Sequence, residues 1–455
     1  MQQNEQTSLT GSLLKVMTSK PKLDDRHAAA LHLLDWLGCA LAGVETPIGI
    51  SMAQVGAATG AHPLAKGGRG IAEVAWGLGS FGSLLEMDDV HRTAILHPGP
   101  VVIPAVLACI TPQSASNTAE AILRGYEAMI RLGNSVGPSH YRHFHNTSTC
   151  GGLGSAVAAS CMLGLDHKRT QWAMAHALSV SGGLWECRNE LGATKHLHVA
   201  EAARRGVQAA LAAQAGLAGP LRILEGNQGF YAGLARDGNP ELLLEGDIWA
   251  LHETSFKPWP ACRHAHSAID AAIALRPMLD GNIPDEIQIE TYADAVLFCD
   301  NPNPTNSAGA KFSLQHAVAV ALVDGLPKLA AFDEESLSHP GYVALRERSK
   351  VIEVPDFTAR YPAHFGARVR LRIGKKWIEN TVPDAWGDSE NPMSTDAVIE
   401  KFQTLAAHAG LAKKTCDALQ TAALGLAHNL EGGSSAVTLI HLLNNLPISS
   451  SPRSA

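Results

Sequence analysis

Hydrophobic positions recur along most of this chain at the three-to-four-residue spacing of amphipathic helices. Leu31, Leu34, Ala40 and Leu41 lie on or near one stripe of a segment from Asp25 to Ala42, which Gly43 stops. Asn117-Thr-Ala-Glu120 reads as a capping box, in which both side chains satisfy free amides at a helix start. Ile122, Leu123, Tyr126, Met129, Ile130 and Leu132 follow at helical spacing, and Gly133 marks the expected end. Glu201 to Ala218 is alanine-rich and closes at Gly219-Pro220.

The period changes near residue 280. Ile287-Gln-Ile289-Glu-Thr291 alternates with period two, and so does Val369-Arg-Leu371-Arg-Ile373. Trp377 to Val382 completes an expected antiparallel hairpin across Gly374-Lys-Lys, and Val351 to Val354 is a fourth strand. Ser313 to Leu326 predicts a buried helix between them. From Thr395 the helical spacing returns, through Leu419 to Leu430 and Val437 to Leu446. The expected fold is mainly α. Residues 1–268 and 397–455 form one discontinuous all-helical domain, and residues 269–396 form a smaller α+β lid. The terminal 449–455 stretch is expected to fray.

Several of these helices are rich in small residues, among them Gly77, Gly79, Gly152, Gly154, Ala156, Ala158 and Ala159. Glycine is costly in a helix, so the pattern predicts close helix packing. A phosphate cradle at Gly151-Gly-Leu-Gly154 is the weaker reading, since no Lys-Ser/Thr follows and no strand precedes.

Composition narrows the function classes. The 455 residues are 46% hydrophobic and 17% charged, which fits a soluble globular chain long enough for two domains. A net charge of -7 without a basic, aromatic-interleaved run argues against nucleic acid. The polar N-terminus lacks the apolar core of a signal peptide, and interrupted stretches such as Ile71 to Leu85 are too short to span a bilayer. Eight dispersed cysteines without a CxxC pair suit reduced thiols in the cytoplasm.

The chemistry lies in short polar segments. These are Glu86-Met-Asp88-Asp89-Val-His91-Arg92, His97-Pro-Gly99, His145-Asn-Thr-Ser148, Thr194-Lys195-His196-Leu-His198 and Trp259-Pro-Ala-Cys262-Arg263-His264-Ala-His266. Each alone is a weak signal. Together they supply acids, bases and carboxylate-binding cations. Lys195-His196-Leu-His198 is expected to precede a helix beginning near Glu201, with His196 and His198 sharing a face if extended. No HExxH or other complete metal-ligand spacing exists, so no metal is expected, and Asp88, Asp89, His91 and His97 are the alternative cluster. Ser148 and Cys150 sit in no recognised nucleophile context. What remains is cofactor-free proton transfer on a small anionic substrate.

In their order, these segments make the chain resemble the MmgE/PrpD family. The resemblance runs from Asp35-Trp-Leu-Gly-Cys-Ala-Leu-Ala-Gly43 through the Asp88-Asp89 and His97-Pro-Gly99 loop, His145 to Gly151, Thr194 to His198, Phe256-Lys-Pro-Trp-Pro-Ala-Cys262 and Phe312-Ser-Leu-Gln-His316-Ala. That family includes 2-methylcitrate dehydratase, cis-aconitate decarboxylase and iminodisuccinate epimerase. The resemblance implies a homodimer without metal or iron–sulfur cluster, whose active site lies between a helical domain and a lid. Decarboxylase-like site positions fall on Glu86, Val90, His97, His145, Lys195, His266 and His316. Glu86 stands where an aspartate is expected, Val90 where a threonine is, and His316 where a tyrosine is. The loop before His97 is one residue longer.

The expected activity is that of a lyase on a small di- or tricarboxylate, foremost a 2-methylcitrate-dehydratase-like hydro-lyase. An iminodisuccinate-type epimerase is the alternative, followed by a decarboxylase or a non-catalytic binding protein. His97, His145, Lys195, His266 and Asp88 are the expected catalytic residues. Glu86, Asp89, His91, Arg92, Arg263 and His316 are the expected substrate-binding residues. His97, His145, Lys195 and His266 are expected to line one cleft, because proton transfer requires hydrogen-bond reach.

Overall fold

The computed structural model describes residues 8–59, 70–190, 192–246, 249–428 and 433–446. The extreme N-terminus and the 449–455 tail lie outside them. The chain is mainly α with a small α+β part. It divides into two compact units. The first comprises residues 1–84, 88–254 and 394–455, and the second residues 85–87 and 255–393. The second unit thus begins earlier than the 269–396 range read from the sequence.

The first unit is built on Leu23–Val44, a helix whose Asp25 carboxylate accepts the Lys22 N–H at 2.7 Å. This helix is long and apolar enough to cross a membrane. Of its most apolar window, 89% is buried inside the protein, which makes it a core helix here. The C-terminal helix Thr395–His408 belongs to the same unit. Its buried Lys401 donates to Asp35 at 2.5 Å, so the chain's end is pinned to Leu23–Val44 by a desolvated ion pair. Removing one partner of such a pair would strand the other charge, at a cost of about 3–5 kcal/mol.

The small residues do what their pattern predicts. Helix Asn146–Met162 passes so close to Thr118–Ser135 that a Cβ on Gly154 would lie 2.7 Å from Met129 Cβ and 2.8 Å from Gly125 O. On its other side a Cβ on Gly206 of Thr194–Gln214 would lie 1.8 Å from Ser155 Oγ. Gly151 to Gly154 therefore sit buried inside a packed helix rather than in a phosphate loop.

Three local expectations need correction. Asn117 makes no capping bond, because a 3-10 turn at Ala115–Asn117 has already given it helical dihedrals. That helix also continues past Gly133 to Ser135. The helix expected from Glu201 begins at Thr194, so Lys195, His196 and His198 lie in its first turns. His196 and His198 then point to different sides, since helical neighbours two apart do not share a face.

The second unit holds a four-stranded sheet. Glu286–Thr291 pairs in parallel with Ser349–Glu353 and antiparallel with Ala367–Ile373, which pairs in turn with Lys376–Val382. Ile287, Ile289, Val369 and Leu371 are fully buried in the core they share with helices His266–Leu275 and Leu314–Asp324. The alternate arginines pair on the opposite face: Arg368 with the buried Glu290, and Arg370 with Glu379 at 2.9 Å.

Candidate active site

Between the first unit's helix Ile71–Gly79 and its helix Gly99–Cys109 runs a loop with a buried polar interior. Main-chain bonds between His91 and Leu96 close it into a tight reversal, with Ile95 held at φ 49°. A β-branched residue in that left-handed region is strained, so the surroundings must over-determine the loop.

They do so through Asp89. Its carboxylate accepts from Tyr126 Oη at 2.7 Å, His32 Nδ1 at 2.8 Å and the Gly99 N–H at 2.9 Å. Burial and the neighbouring carboxylates Asp89, Asp35 and Asp88 hold the Tyr126 hydroxyl well above its ordinary pKa, so it stays a donor. The main-chain carbonyl of Asp89 lies 2.7 Å from His97 Nδ1, and the buried Asp88 carboxylate lies 3.0 Å from the same nitrogen. A carbonyl only accepts, so Nδ1 carries a proton and the lone pair of neutral His97 is on Nε2. His97 Nε2 engages none of the described residues, and the ring is partly solvent-accessible, at 17%.

The second polar segment is fastened to this loop. The His97 N–H donates to Thr147 Oγ1 at 3.1 Å, and Asn146 Nδ2 donates to the Ala94 carbonyl at 2.9 Å. His145 occupies the position before helix Asn146–Met162, and its ring stacks on Trp185 at 4.3 Å. The His198 ring lies 5.6 Å from it, and burial, reinforced by Arg205, lowers the His198 pKa and keeps that ring neutral. Lys195 opens the helix that carries His198, close enough to Cys187 for its charge to act on that thiol. His196 turns away and bonds Ser83 at 2.9 Å. His91 lies 3.6 Å from Glu253, whose carboxyl it holds below the usual range, and Arg92 is buried beside it in sequence. Burial pushes the Cys150 thiol up to about 12, which removes it as a nucleophile at neutral pH.

The second unit holds the other sequence-derived positions. Glu86 sits at φ 55° and meets the fully buried Lys257 at 3.4 Å. Arg263 is ion-paired with the fully buried Asp388, which also accepts from Ser255 Oγ at 2.6 Å and the Ala385 N–H at 3.0 Å. Arg263 Nη1 donates to His266 Nδ1 at 3.1 Å, while His266 Nε2 donates to the Ala261 carbonyl at 3.1 Å. His316 repeats this arrangement. Its Nδ1 accepts from Arg346 at 3.0 Å, and its Nε2 donates to the Ala331 carbonyl at 2.8 Å. Burial, with Arg346 reinforcing, lowers the His316 pKa to about 4. Both rings are neutral and engaged at both nitrogens, which distinguishes them from His97.

Residues 12–243 match the MmgE/PrpD N-terminal domain, and residues 259–424 match the MmgE/PrpD C-terminal domain. The chain belongs to the MmgE/PrpD family. It is 28% identical over 359 residues to a cis-aconitate decarboxylase of Mus musculus, covering 74% of this chain and 72% of that one. It is 24% identical over 414 residues to the cis-aconitate decarboxylase of Aspergillus terreus, covering 82% and 83%. With the 2-methylcitrate dehydratase of Salmonella typhimurium it shares 26% over 378 residues, 76% of each chain. Decarboxylase and dehydratase are both lyases, and the chain is an enzyme of the MmgE/PrpD type.

In this MmgE/PrpD enzyme several buried side chains that hold the candidate residues carry no local sequence signal. His32 and Tyr126 lie within helices and reach Asp89 only through the fold. Lys257 stands in a segment noted for its resemblance but shows its burial and its Glu86 contact only in three dimensions. Asp388, which balances Arg263, follows an unremarkable loop. Among the described residues, the group whose ligand atoms lie within 4.8 Å of one another is His364, Asp384 and Glu390 in the second unit, with Glu390 exposed. None of the three is a sequence-derived site residue.

Proposed function

We propose that this enzyme is a cofactor-independent lyase of a small di- or tricarboxylate, working by proton abstraction next to a carboxylate, and foremost a hydro-lyase of the 2-methylcitrate dehydratase kind. The observation that carries this reading is His97. Its Nδ1–H is held by Asp88 and by the Asp89 carbonyl, so Nε2 is left as a base with a defined direction. The C–H bond breaks toward His97 Nε2, and the electron pair is delocalised into the substrate carboxylate. The Lys195 ammonium stabilises that charge. The C–O bond on the adjacent carbon then breaks, and His145 gives the departing hydroxide a proton, releasing water. Arg92 serves as a carboxylate-binding cation.

Arg263 has a narrower part than the sequence suggested. Its charge is matched by Asp388, and one of its N–H groups fixes the His266 ring. We assign Arg263 and His266 to ordering the buried interior of the second unit rather than to proton transfer.

A carbanion formed at His97 would epimerise if it were reprotonated on its opposite face, so epimerisation is the second reading. Proton NMR in deuterium oxide, with a panel of hydroxy-, amino- and unsaturated di- and tricarboxylates, separates the outcomes. Dehydration yields an alkene. Epimerisation exchanges the α-proton without loss of water, and decarboxylation yields a product one carbon shorter. The proposal is refuted if no carboxylate in the panel is turned over or exchanged. Extensively dialysed, chelator-treated enzyme is expected to keep full activity, and activity restored only by added metal would count against it.

A further inference from the structure

We propose that His32 and Tyr126 are positioning residues that act on His97 through Asp89. The inference rests on the reading of His97 as the proton-transferring base. Neither residue belongs to the polar segments of the sequence. His32 lies in helix Leu23–Val44 and Tyr126 in helix Thr118–Ser135, and both are buried.

Asp89 is where these helices and the loop meet. A carboxylate buried to 2% exposure must find donors, and three are present: Tyr126 Oη–H, His32 Nδ1–H and the Gly99 N–H. The first two come from rigid helices. The third is the start of the helix that follows His97-Pro98. Asp89 therefore fixes both ends of the loop that carries His97. Its carbonyl adds the fourth link by accepting from His97 Nδ1. A carboxylate held by two helices thus sets which imidazole nitrogen is protonated and where the other one points. His32 and Tyr126 also rest against each other, with ring centroids 5.4 Å apart. Losing one donor leaves the other to hold an off-centre carboxylate. The consequence is a displaced base, and a displacement of about 1 Å costs roughly 100-fold in rate.

A purely structural role predicts a different response. If the two rings only filled space, ring size would matter and N–H or O–H donation would not. Tyr126→Phe removes a single hydroxyl. His32→Leu removes the donor and keeps apolar bulk, whereas His32→Asn keeps an N–H donor near the Nδ1 position.

The test uses the full-length enzyme labelled with nitrogen-15 at histidine, with the His97 signals assigned by their loss in His97→Gln. Long-range proton–nitrogen spectra report which ring nitrogen is protonated and need no substrate. The wild type is expected to show His97 as the Nδ1–H form. Tyr126→Phe and His32→Leu are expected to shift or broaden that signature, and His32→Asn to restore it. On a turned-over carboxylate, the first two variants should lose about 10- to 100-fold in kcat with KM within about threefold, and His32→Asn should recover most of it. An Nε2–H form in the wild type would overturn the proposal. So would an unchanged His97 signature in folded Tyr126→Phe and His32→Leu, or a His32→Asn protein as impaired as His32→Leu. Should no carboxylate be turned over while the His97 signature responds as described, the functional reading fails and the positioning role stands.

Discussion

The Gly99 N–H donates to Asp89 Oδ1 at 2.9 Å, and a Cβ built on Gly99 would lie 2.7 Å from that same oxygen. Both carboxylate oxygens and the carboxyl carbon of Asp89 would be at or within 3.0 Å of it. The carboxylate has little freedom to retreat, because Tyr126 and His32 hold its other oxygen. Gly99→Ala should therefore destabilise the protein by about 1–3 kcal/mol through overpacking and should displace the His97 loop. Urea unfolding and turnover, measured together, check this. A variant with wild-type stability and rate would mean that the contact is far softer than the geometry states.

Asp88 and the Asp89 carbonyl share His97 Nδ1, and this makes Asp88→Asn informative. The carbonyl still requires an Nδ1–H, so the tautomer should survive. What is lost is the negative charge that stabilises the imidazolium formed once His97 takes a proton. We expect kcat to fall by about 100-fold, with KM nearly unchanged because Asp88 has no assigned contact with substrate. A KM effect without a kcat effect would instead make Asp88 a binding residue.

Lys195 lies at the first turn of a 21-residue helix, near His198 and the His145–Trp185 stack. Lys195→Met keeps the length and most packing while removing the charge. Turnover should fall by at least ~100-fold with the fold intact, as seen when one electrostatic stabiliser is removed. The exposed His441, in helix Ser434–Asn444, supplies the control, and its replacement should leave activity nearly unchanged. A folded Lys195→Met enzyme within a few-fold of wild type would remove lysine from the mechanism.

Period-two alternation at Ile287 and Val369 was enough to find the sheet, because half-buried strands write their faces into the sequence. Glycine-rich stretches announced close packing because only glycine fits where Gly154 meets Met129. Helix starts were less legible. Asn117 has the chemistry of a cap but lies inside a turn that has already become helical, and Ala193 precedes a long helix without a side-chain cap. The candidate site divides the same way. Its loop residues stood out as polar clusters. The residues that give those clusters geometry did not, because a histidine at 32 and a tyrosine at 126 on the buried faces of helices look like ordinary core until the fold brings them to Asp89. Nor does sequence distinguish a histidine with an available nitrogen, such as His97, from one with both engaged, such as His266.

His316 turns that last difference into a stability measurement. In an unfolded chain a histidine takes up its proton near 6.5. In the folded protein His316 does so only at about 4, because burial disfavours the charged ring and Arg346 donates to the nitrogen that would be protonated. Between these values the unfolded state binds more protons, so stability rises with pH. The contribution is fully present above about 6.5 and is lost progressively as pH falls towards 4, up to roughly 3 kcal/mol. His316→Gln keeps a donor for the Ala331 carbonyl and an acceptor for Arg346 but cannot take up a proton. Its unfolding free energy in urea should therefore decline less than that of wild type between pH 7 and pH 4, and the two curves should converge or cross as the pH falls. Parallel curves across that range would show that His316 is protonated as readily in the folded protein as in the unfolded one, and that burial and Arg346 do not hold it neutral.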